Sequence, residues 1–385
     1  MANKLVTPGI IYMGENALIA AEEDLCSLGK KAFIVSGKSM IKGGYIKELT
    51  DLLHKNEIEA IVFSDITGEP TDVMVEEGLA LYKNEKCDFI IGFGGGSPLD
   101  AAKAIGAMVT NEGKIADYNG KVITKKIPPL VAIPSTAGTG SEATQVTIIS
   151  DTKNNIKMLL KGSVLLPVIS IVDYRFTMSA PPKVTAATGL DALTHAIESY
   201  TSKKAFSITD IYAVSAIKRI FKYLPIVFKD GSNEKAREEM SIAALEAGIS
   251  FNNSSVTIVH GMSRPIGALF HVPHGVSNAM LLKECMTFAL DGAYEKFAQL
   301  GKENGVADNN DSDEIAAKAF LKAVEGICKE CEIPTLEEYG VDKDKFFEAI
   351  DKMAKDAFDS GSPSNTRKNV SVDDMKIIYK KLWDN

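Results

Sequence analysis

Asp191 and His195 stand four residues apart in the stretch GLDALTHAIE, with no Gly or Pro between them. Residues four apart on a helix lie one turn above each other on the same face. A carboxylate and an imidazole placed that way both reach toward one divalent cation. The plainer alternative is an Asp near a helix N-terminus and a histidine satisfied within the core. The chain has five histidines, His54, His195, His260, His271 and His274, and three of them crowd into HGMSRPIGALFHVPHG. Pro265 and Pro273 interrupt that stretch, which predicts His260 at the end of one helix and His274 in a turn before the next. A long-range meeting of Asp191, His195, His260 and His274 gives one carboxylate and three imidazoles. That set suits Fe(II) or Zn(II) and leaves room for water or a substrate oxygen.

Two loops carry a different chemistry. The apolar run Phe89–Phe93 leads into GGGSPLD, residues 94–100, and then a helical run from Ala101 to Met108. Glycines at a strand-to-helix junction let backbone amides approach a phosphate, and the helix N-terminus adds partial positive charge. Pro98 suits a first helical position. Ser97 stands where a regular GxGxxG has its last Gly, so an ordinary tight turn is the alternative for this loop by itself. A second loop, PSTAGTGSE at residues 134–142, follows the apolar run Leu130–Ile133. Loops after two strands of one parallel sheet fall at its carboxyl edge, where such sheets bind ligands. Together they argue for a dinucleotide.

The elements that must position these residues change character along the chain. Short apolar runs at Ala32–Ser36, Ala60–Phe63, Phe89–Phe93, Leu130–Ile133 and Ile169–Val172 read as strands. Helical stretches at Asn16–Leu28, Ile46–Asn56 and Asp72–Asn84 fall between them, the last with Thr71 as N-cap. Runs that are apolar throughout, alternating with helices, predict a mostly parallel, Rossmann-like sheet covered on both faces. After Pro181 long Ala-rich and charged helical patterns take over. The predicted fold is therefore an α/β domain over residues 1–180 and an all-α domain over residues 181–385.

With 385 residues, two cores are the better expectation. A formal net charge of −8 argues against nucleic acid or an anionic membrane as partner. No apolar run approaches the roughly 18 residues a membrane span needs, and MANKLVTPGIIYMGEN lacks a signal peptide's apolar core. The expectation is cytoplasmic. Five cysteines, an odd number, read as reduced thiols. Cys328 and Cys331 form a lone CxxC, for which a structural role is expected.

GLDALTHAIE followed by HG…PIGALFHVPHG resembles the iron-containing alcohol dehydrogenases, and the resemblance extends over nearly the whole chain. It implies Asp191, His195, His260 and His274 as metal ligands, with Fe(II) favoured and Zn(II) as the alternative. It implies a dehydroquinate synthase-like architecture, with the active site in a cleft between the domains, and a homo-oligomer, dimer or larger. GGGSPLD and STAGTGSE match the family's cofactor loops. On that basis Gly95, Gly96, Ser97, Asp100, Thr136, Thr139 and Lys157 are expected cofactor contacts, although Lys157 sits in a charged, turn-like segment. Relatives commonly carry a further His four residues after the third ligand, where this chain has Arg264. A proton relay then falls to His271 or to water and the cofactor ribose. Family members selective for NAD often carry Asp just after the first core strand. Here Gly37, Lys38 and Ser39 follow Ala32–Ser36. Gly37 leaves space and Ser39 can donate a hydrogen bond, so NADP(H) is favoured over NAD(H).

The implied activity is a metal-dependent alcohol dehydrogenase or aldehyde reductase, passing hydride between a nicotinamide cofactor and a small alcohol, diol or aldehyde. Two alternatives share the features: a reductase of a keto acid or semialdehyde, with Arg264 on the carboxylate, and a non-redox lyase of the dehydroquinate synthase type. The lyase needs a cleft rich in Lys and Arg. The stretches around the histidines instead offer Phe251, Met262, Leu269 and Phe270 beside Arg264, which favours a small, weakly polar substrate.

Overall fold

The computed structural model describes residues 2–154 and 156–384. It divides into two compact units, Val6–Ala180 and a second that joins Met1–Leu5 to Pro181–Asn385. In the first unit the strands are β1 (Ile10–Met13), β2 (Lys31–Ser36), β3 (Glu59–Phe63), β4 (Phe89–Gly94), β5 (Leu130–Pro134), β6 (Val146–Asp151), β7 (Ile156–Lys161) and β8 (Ile169–Val172). Its helices are α1 (Ala17–Ala20), α2 (Glu22–Cys26), α3 (Lys38–Lys42), α4 (Tyr45–Lys55), α5 (Asp72–Glu85) and α6 (Gly96–Thr110). Six strands form one sheet in the order β1-β8-β5-β4-β2-β3, with every pair parallel.

The strands are apolar throughout because both faces are covered. Phe33, Val35 and Ile90 enter one core with Val75 and Tyr82 of α5 and Ala101, Ile105 and Met108 of α6. Their neighbours in sequence, Ala32, Ile34, Phe89 and Ile91, enter another with Leu18 of α1 and Leu49 and Leu53 of α4. Alternate side chains point to opposite faces of a strand, so one unbroken apolar run feeds two cores.

Two local expectations give way. The helix expected over Asn16–Leu28 is two short pieces that meet at Ala21. The segment around Lys157 is not a turn but strand β7, paired antiparallel with β6. Its buried Met158 and Leu160 alternate with exposed residues, the signature of a half-covered strand.

The second unit is helical: α7 (Pro182–Thr201), α8 (Ser207–Lys229), α9 (Glu234–Ser254), α10 (Ile258–Phe270), α11 (His274–Ala289), α12 (Tyr294–Glu303), α13 (Asp313–Glu330), α14 (Leu336–Tyr339), α15 (Lys343–Asp359) and α16 (Val372–Lys381). The central helix is α7, buried continuously from Gly189 to Thr201 and packed against α8, α9 and α11. Among the described residues no helix is long and apolar enough to cross a membrane.

Pro265 does not end a helix, contrary to the sequence expectation. It lies inside α10, and His260 sits in that helix's first turn. A helix-interior proline costs about 3 kcal/mol. The buried side chains Ile258, Val259, Met262 and Ile266 on the same helix each contribute about 1.5–3 kcal/mol, which outweighs it. The interruption comes instead at His271–Pro273, between α10 and α11.

Lys103 of α6 ties the two Gly-rich loops of the α/β unit together. It is 1 % exposed. Its Nζ lies 2.6–2.9 Å from five oxygens: the carbonyls of Ser141, Thr144 and Val146 and the hydroxyls of Ser141 and Thr144. Asp100, one turn earlier, accepts from Ser141 Oγ (2.7 Å) and Ile148 N (2.9 Å). Burial lowers the Lys103 pKa to about 8, against the pull of Asp100 and Glu142, so it stays cationic at neutral pH. Lys103→Met leaves these oxygens without their donor and Asp100 without its counter-charge. We expect a loss of about 3–5 kcal/mol in denaturant unfolding. Lys114→Met, which removes an exposed pair with Glu76, should leave the midpoint unmoved.

Candidate metal centre and dinucleotide loops

Asp191 and His195 occupy one face of α7, mid-helix, with His260 on α10 and His274 the first residue of α11. Single oxygen or nitrogen atoms of Asp191, His195 and His260 all lie within 4.8 Å of one another. Asp191 Oδ1 is 3.6 Å from His260 Nε2 and 3.8 Å from His274 Nε2. Tetrahedral ligands about 2.1 Å from a shared ion stand roughly 3.4 Å apart, so these separations fit one cation within a few tenths of an ångström.

The backbone lets the helices approach. A Cβ on Gly275 would lie 2.3 Å from the Ala187 carbonyl oxygen of α7. Only a glycine beside His274 allows α11 to come that close.

The donor atoms converge. Asn278 of α11 donates through Nδ2 to Asp191 Oδ1 (2.7 Å), and the same nitrogen is 3.2 Å from both His260 Nε2 and His274 Nε2. One amide nitrogen within 3.2 Å of polar atoms from three side chains marks the point on which they converge. Asn278 Oδ1 and His195 Nδ1 are buried without a partner among the described residues. The His195 ring is fixed by stacking, on Phe251 (centroids 4.1 Å apart) and on His260 (4.4 Å).

Electrostatics favour an ionised Asp191 and a neutral His195, whereas the His260 pKa, in spite of its burial, is raised by Glu198 and Asp191. Burial raises the Asp191 carboxyl pKa, but His195, His274 and His260 more than reverse this and hold it well below the usual carboxylate range. Burial drives the His195 pKa down to about 3, against the pull of Asp191. An ionised carboxylate beside a neutral imidazole is the protonation state that metal ligation requires. The residues present therefore fit a divalent cation of borderline softness.

Two buried side chains around this centre escaped the sequence reading. Glu198, one turn beyond His195 on α7 and 0 % exposed, accepts from Thr257 Oγ1 (2.7 Å) and Val259 N (2.6 Å) through Oε1. Its Oε2 is 2.5 Å from His260 Nδ1. Asn278 is the other. Glu198 is the last letter of GLDALTHAIE, so its position was visible but its partners, some sixty residues on, were not. Arg264 is half-buried and donates to Ser362 Oγ (3.1 Å). His271 is exposed, with a left-handed backbone (φ 55°) that ends α10. Of the apolar neighbours expected at the site, Phe251 touches a histidine donor. Met262 packs on Cys285 and Phe270 on Phe346.

In the α/β unit the two loops meet. Gly95 caps α6, and Gly96 and Ser97 begin it. A Cβ on Gly95 would be 3.6 Å from the Thr136 methyl, and one on Gly96 would be 2.8 Å from the Thr139 methyl. Ser135 N donates to Gly94 O (2.7 Å), which joins the ends of β4 and β5. Gly37 and Ser39 follow β2, the parallel neighbour of β4, and so lie at the same carboxyl edge. Asp100 is turned inward onto Ser141 and Ile148. Lys157 is held by Glu69 (2.5 Å). Burial pushes the Cys328 and Cys331 thiols up to about 12, which opposes thiolate chemistry at that CxxC.

Residues 8–174 match the family model described as iron-containing alcohol dehydrogenase, and residues 185–383 match that family's C-terminal domain. The chain is 36% identical over 382 residues to a choline dehydrogenase of Bacillus subtilis (strain 168), covering 98% of this chain and 94% of that protein. It is 37% identical over 384 residues to a 1,3-propanediol dehydrogenase of Klebsiella pneumoniae, covering 98% of each. A solved 1,3-propanediol oxidoreductase superposes with a TM-score of 0.95 at 34% identity, over 100% of both chains.

Gly275→Ala tests the close approach of α7 and α11. The added methyl forces the helices apart, with an expected cost of about 1–3 kcal/mol in denaturant unfolding. Wild-type stability would show that the contact is looser than described.

Proposed function

The chain belongs to the iron-containing alcohol dehydrogenase family, and from that premise we propose how its two units divide the work. It is an oxidoreductase acting on CH–OH groups with a nicotinamide cofactor. Its relatives are dehydrogenases, which does not favour a lyase. The observation that carries the metal reading is the convergence of Asp191, His260 and His274 on one point, with His195 alongside.

In this reading Asp191, His195, His260 and His274 hold the metal, and Gly95, Gly96, Ser97, Thr136 and Thr139 surround the cofactor phosphates. When bound, the metal supplies Lewis acidity to a substrate oxygen, and the nicotinamide supplies or accepts the hydride. Asp191 contributes the only formal charge among the four donors and lowers the net charge of the centre. Phe251 holds the His195 ring and presents an apolar wall, which favours a small, weakly polar alcohol, diol or aldehyde over a charged acid. Arg264 donates to Ser362 within the helical unit, so we do not assign it to a substrate carboxylate. A guanidinium stays protonated. The proton then leaves through water, and the relay role is assigned to His271, exposed at the end of α10.

Asp100 and Lys157 have a different standing. Asp100 serves the cofactor through Ser141 and its loop, and Lys157 through release from Glu69. Iron as the metal follows the family. A homo-oligomer, dimer or larger, and a cytoplasmic location complete the proposal, the latter in keeping with five free cysteines.

Purified protein loaded with Fe(II) or Zn(II) should turn over members of a panel of short alcohols, diols and aldehydes, followed at the absorbance of reduced nicotinamide. Absence of turnover with every substrate and both nicotinamide cofactors would overturn the assignment. Asp191→Ala should lose bound metal and activity together while far-ultraviolet circular dichroism is retained, because it removes the one anionic ligand. Full metal occupancy in that variant would contradict the ligand set.

We further propose a preference for NADP(H), which rests on Lys38 and Ser39, both exposed after β2. Asp65, beyond β3, pairs by its backbone with Gly37, so an acidic residue does reach this turn from the neighbouring strand. The proposal expects higher kcat/KM with NADP(H) than with NAD(H). Lys38→Ala should cut that ratio about tenfold, the equivalent of one charge-assisted hydrogen bond to the 2′-phosphate. Equal efficiency with NAD(H) in the wild type would refute it.

A further inference from the structure

We propose that Glu198 is the positioning residue of the metal centre, and that it acts by fixing the tautomer of His260. This rests on the metal reading above. The geometry behind it is a chain of three groups. Val259 N is a donor only, and it points at Glu198 Oε1 (2.6 Å), beside Thr257 Oγ1 (2.7 Å). That pins one oxygen of the carboxylate. The other, Oε2, lies 2.5 Å from His260 Nδ1. A carboxylate only accepts, so the imidazole proton sits on Nδ1. Nε2, the atom 3.6 Å from Asp191 Oδ1, is left with a bare lone pair aimed at the focus of the donor set. Carboxylate–histidine pairs orient metal-binding imidazoles in this way.

The other histidine donors are held differently. His195 has no partner for Nδ1 among the described residues and relies on ring stacking. His274 Nδ1 faces Ser263 Oγ at 3.4 Å, a hydroxyl that either donates or accepts. Glu198 dictates a ring proton's place for the third ligand, on another helix.

The fixed direction of Val259 N–H makes one substitution unusually informative. In Glu198→Gln the amide oxygen stays on Val259 N, so the amide NH2 must face His260 Nδ1. Nδ1 becomes an acceptor, and the ring proton moves to Nε2, where a cation would bind. The variant keeps the volume and reverses the hydrogen bond. Glu198→Asp keeps the carboxylate but shortens it by one methylene.

The test measures zinc affinity by competition with a chromophoric chelator, beside circular dichroism. The expected order is wild type, then Glu198→Asp, then Glu198→Gln, with Gln weaker than wild type by about ten- to a hundredfold. A role in packing alone gives the reverse order of the two variants, and either that order or a Gln variant with wild-type affinity overturns the proposal. Should the Gln variant fail to fold, the wild type still decides. In metal-free protein at alkaline pH, where the ring carries one proton, long-range nitrogen–proton correlation spectra should show the His260 proton on Nδ1, and a proton on Nε2 overturns the inference. No zinc uptake by the wild type would count against the metal reading itself, whereas uptake indifferent to residue 198 removes only the positioning role.

Discussion

Burying a carboxylate in the middle of a helix is the constraint on which the rest of the helical unit depends. Asp191 is 2 % exposed on α7, amid Leu190, Ala192 and Leu193, each fully buried. An isolated charge there would cost several kcal/mol even after relaxation. The fold offsets it with the imidazole of His195 on the same helix, that of His260 on α10, and the His274 imidazole and Asn278 amide of α11. Gly275 lets α11 approach α7 there, and α10 tolerates Pro265 in its interior while holding His260 in its first turn. These features look like faults when taken singly. They become intelligible once the charge on Asp191 is the thing being satisfied.

The α/β unit solves a matching problem with the opposite sign. Lys103 is a buried cation, and the fold surrounds it with five oxygens from the end of the second Gly-rich loop and the residues that follow it. A lysine in an oxygen cage does the work that a structural ion does elsewhere: it fixes irregular backbone that makes few ladder hydrogen bonds of its own. The loop then presents Thr136 and Thr139 to Gly95 and Gly96 without having to be rigid by itself. Asp100, read from sequence as a cofactor contact, belongs to this frame through Ser141 and Ile148.

What could be read from the sequence was what local chemistry determines. The parallel sheet was legible because a strand covered on both faces must be apolar at every position, as Phe89–Phe93 is. Asp191 and His195 were legible because helical spacing alone places them together. The hairpin of β6 and β7 was not, because its charged connection around Lys153 resembles an ordinary surface turn. Helix α10 was misread at Pro265, where tertiary burial overrides a local penalty. Glu198 and Lys103 were missed for a common reason. Each looks like one more charged residue on a helix, and only partners forty to sixty residues away turn it into an orienting group. Asp65, paired by its backbone with Gly37, likewise becomes visible only through the neighbouring strand.

The central claim is that one metal ion is held by four protein side chains. The most direct measurement is anomalous diffraction at the metal's absorption edge, from crystals of protein loaded with Fe(II) or Zn(II). The account predicts a single strong peak about 2.0–2.2 Å from a carboxylate oxygen of Asp191 and from one ring nitrogen each of His195, His260 and His274. A peak elsewhere, or one that leaves Asp191 or any of the three histidines outside the coordination shell, would contradict it.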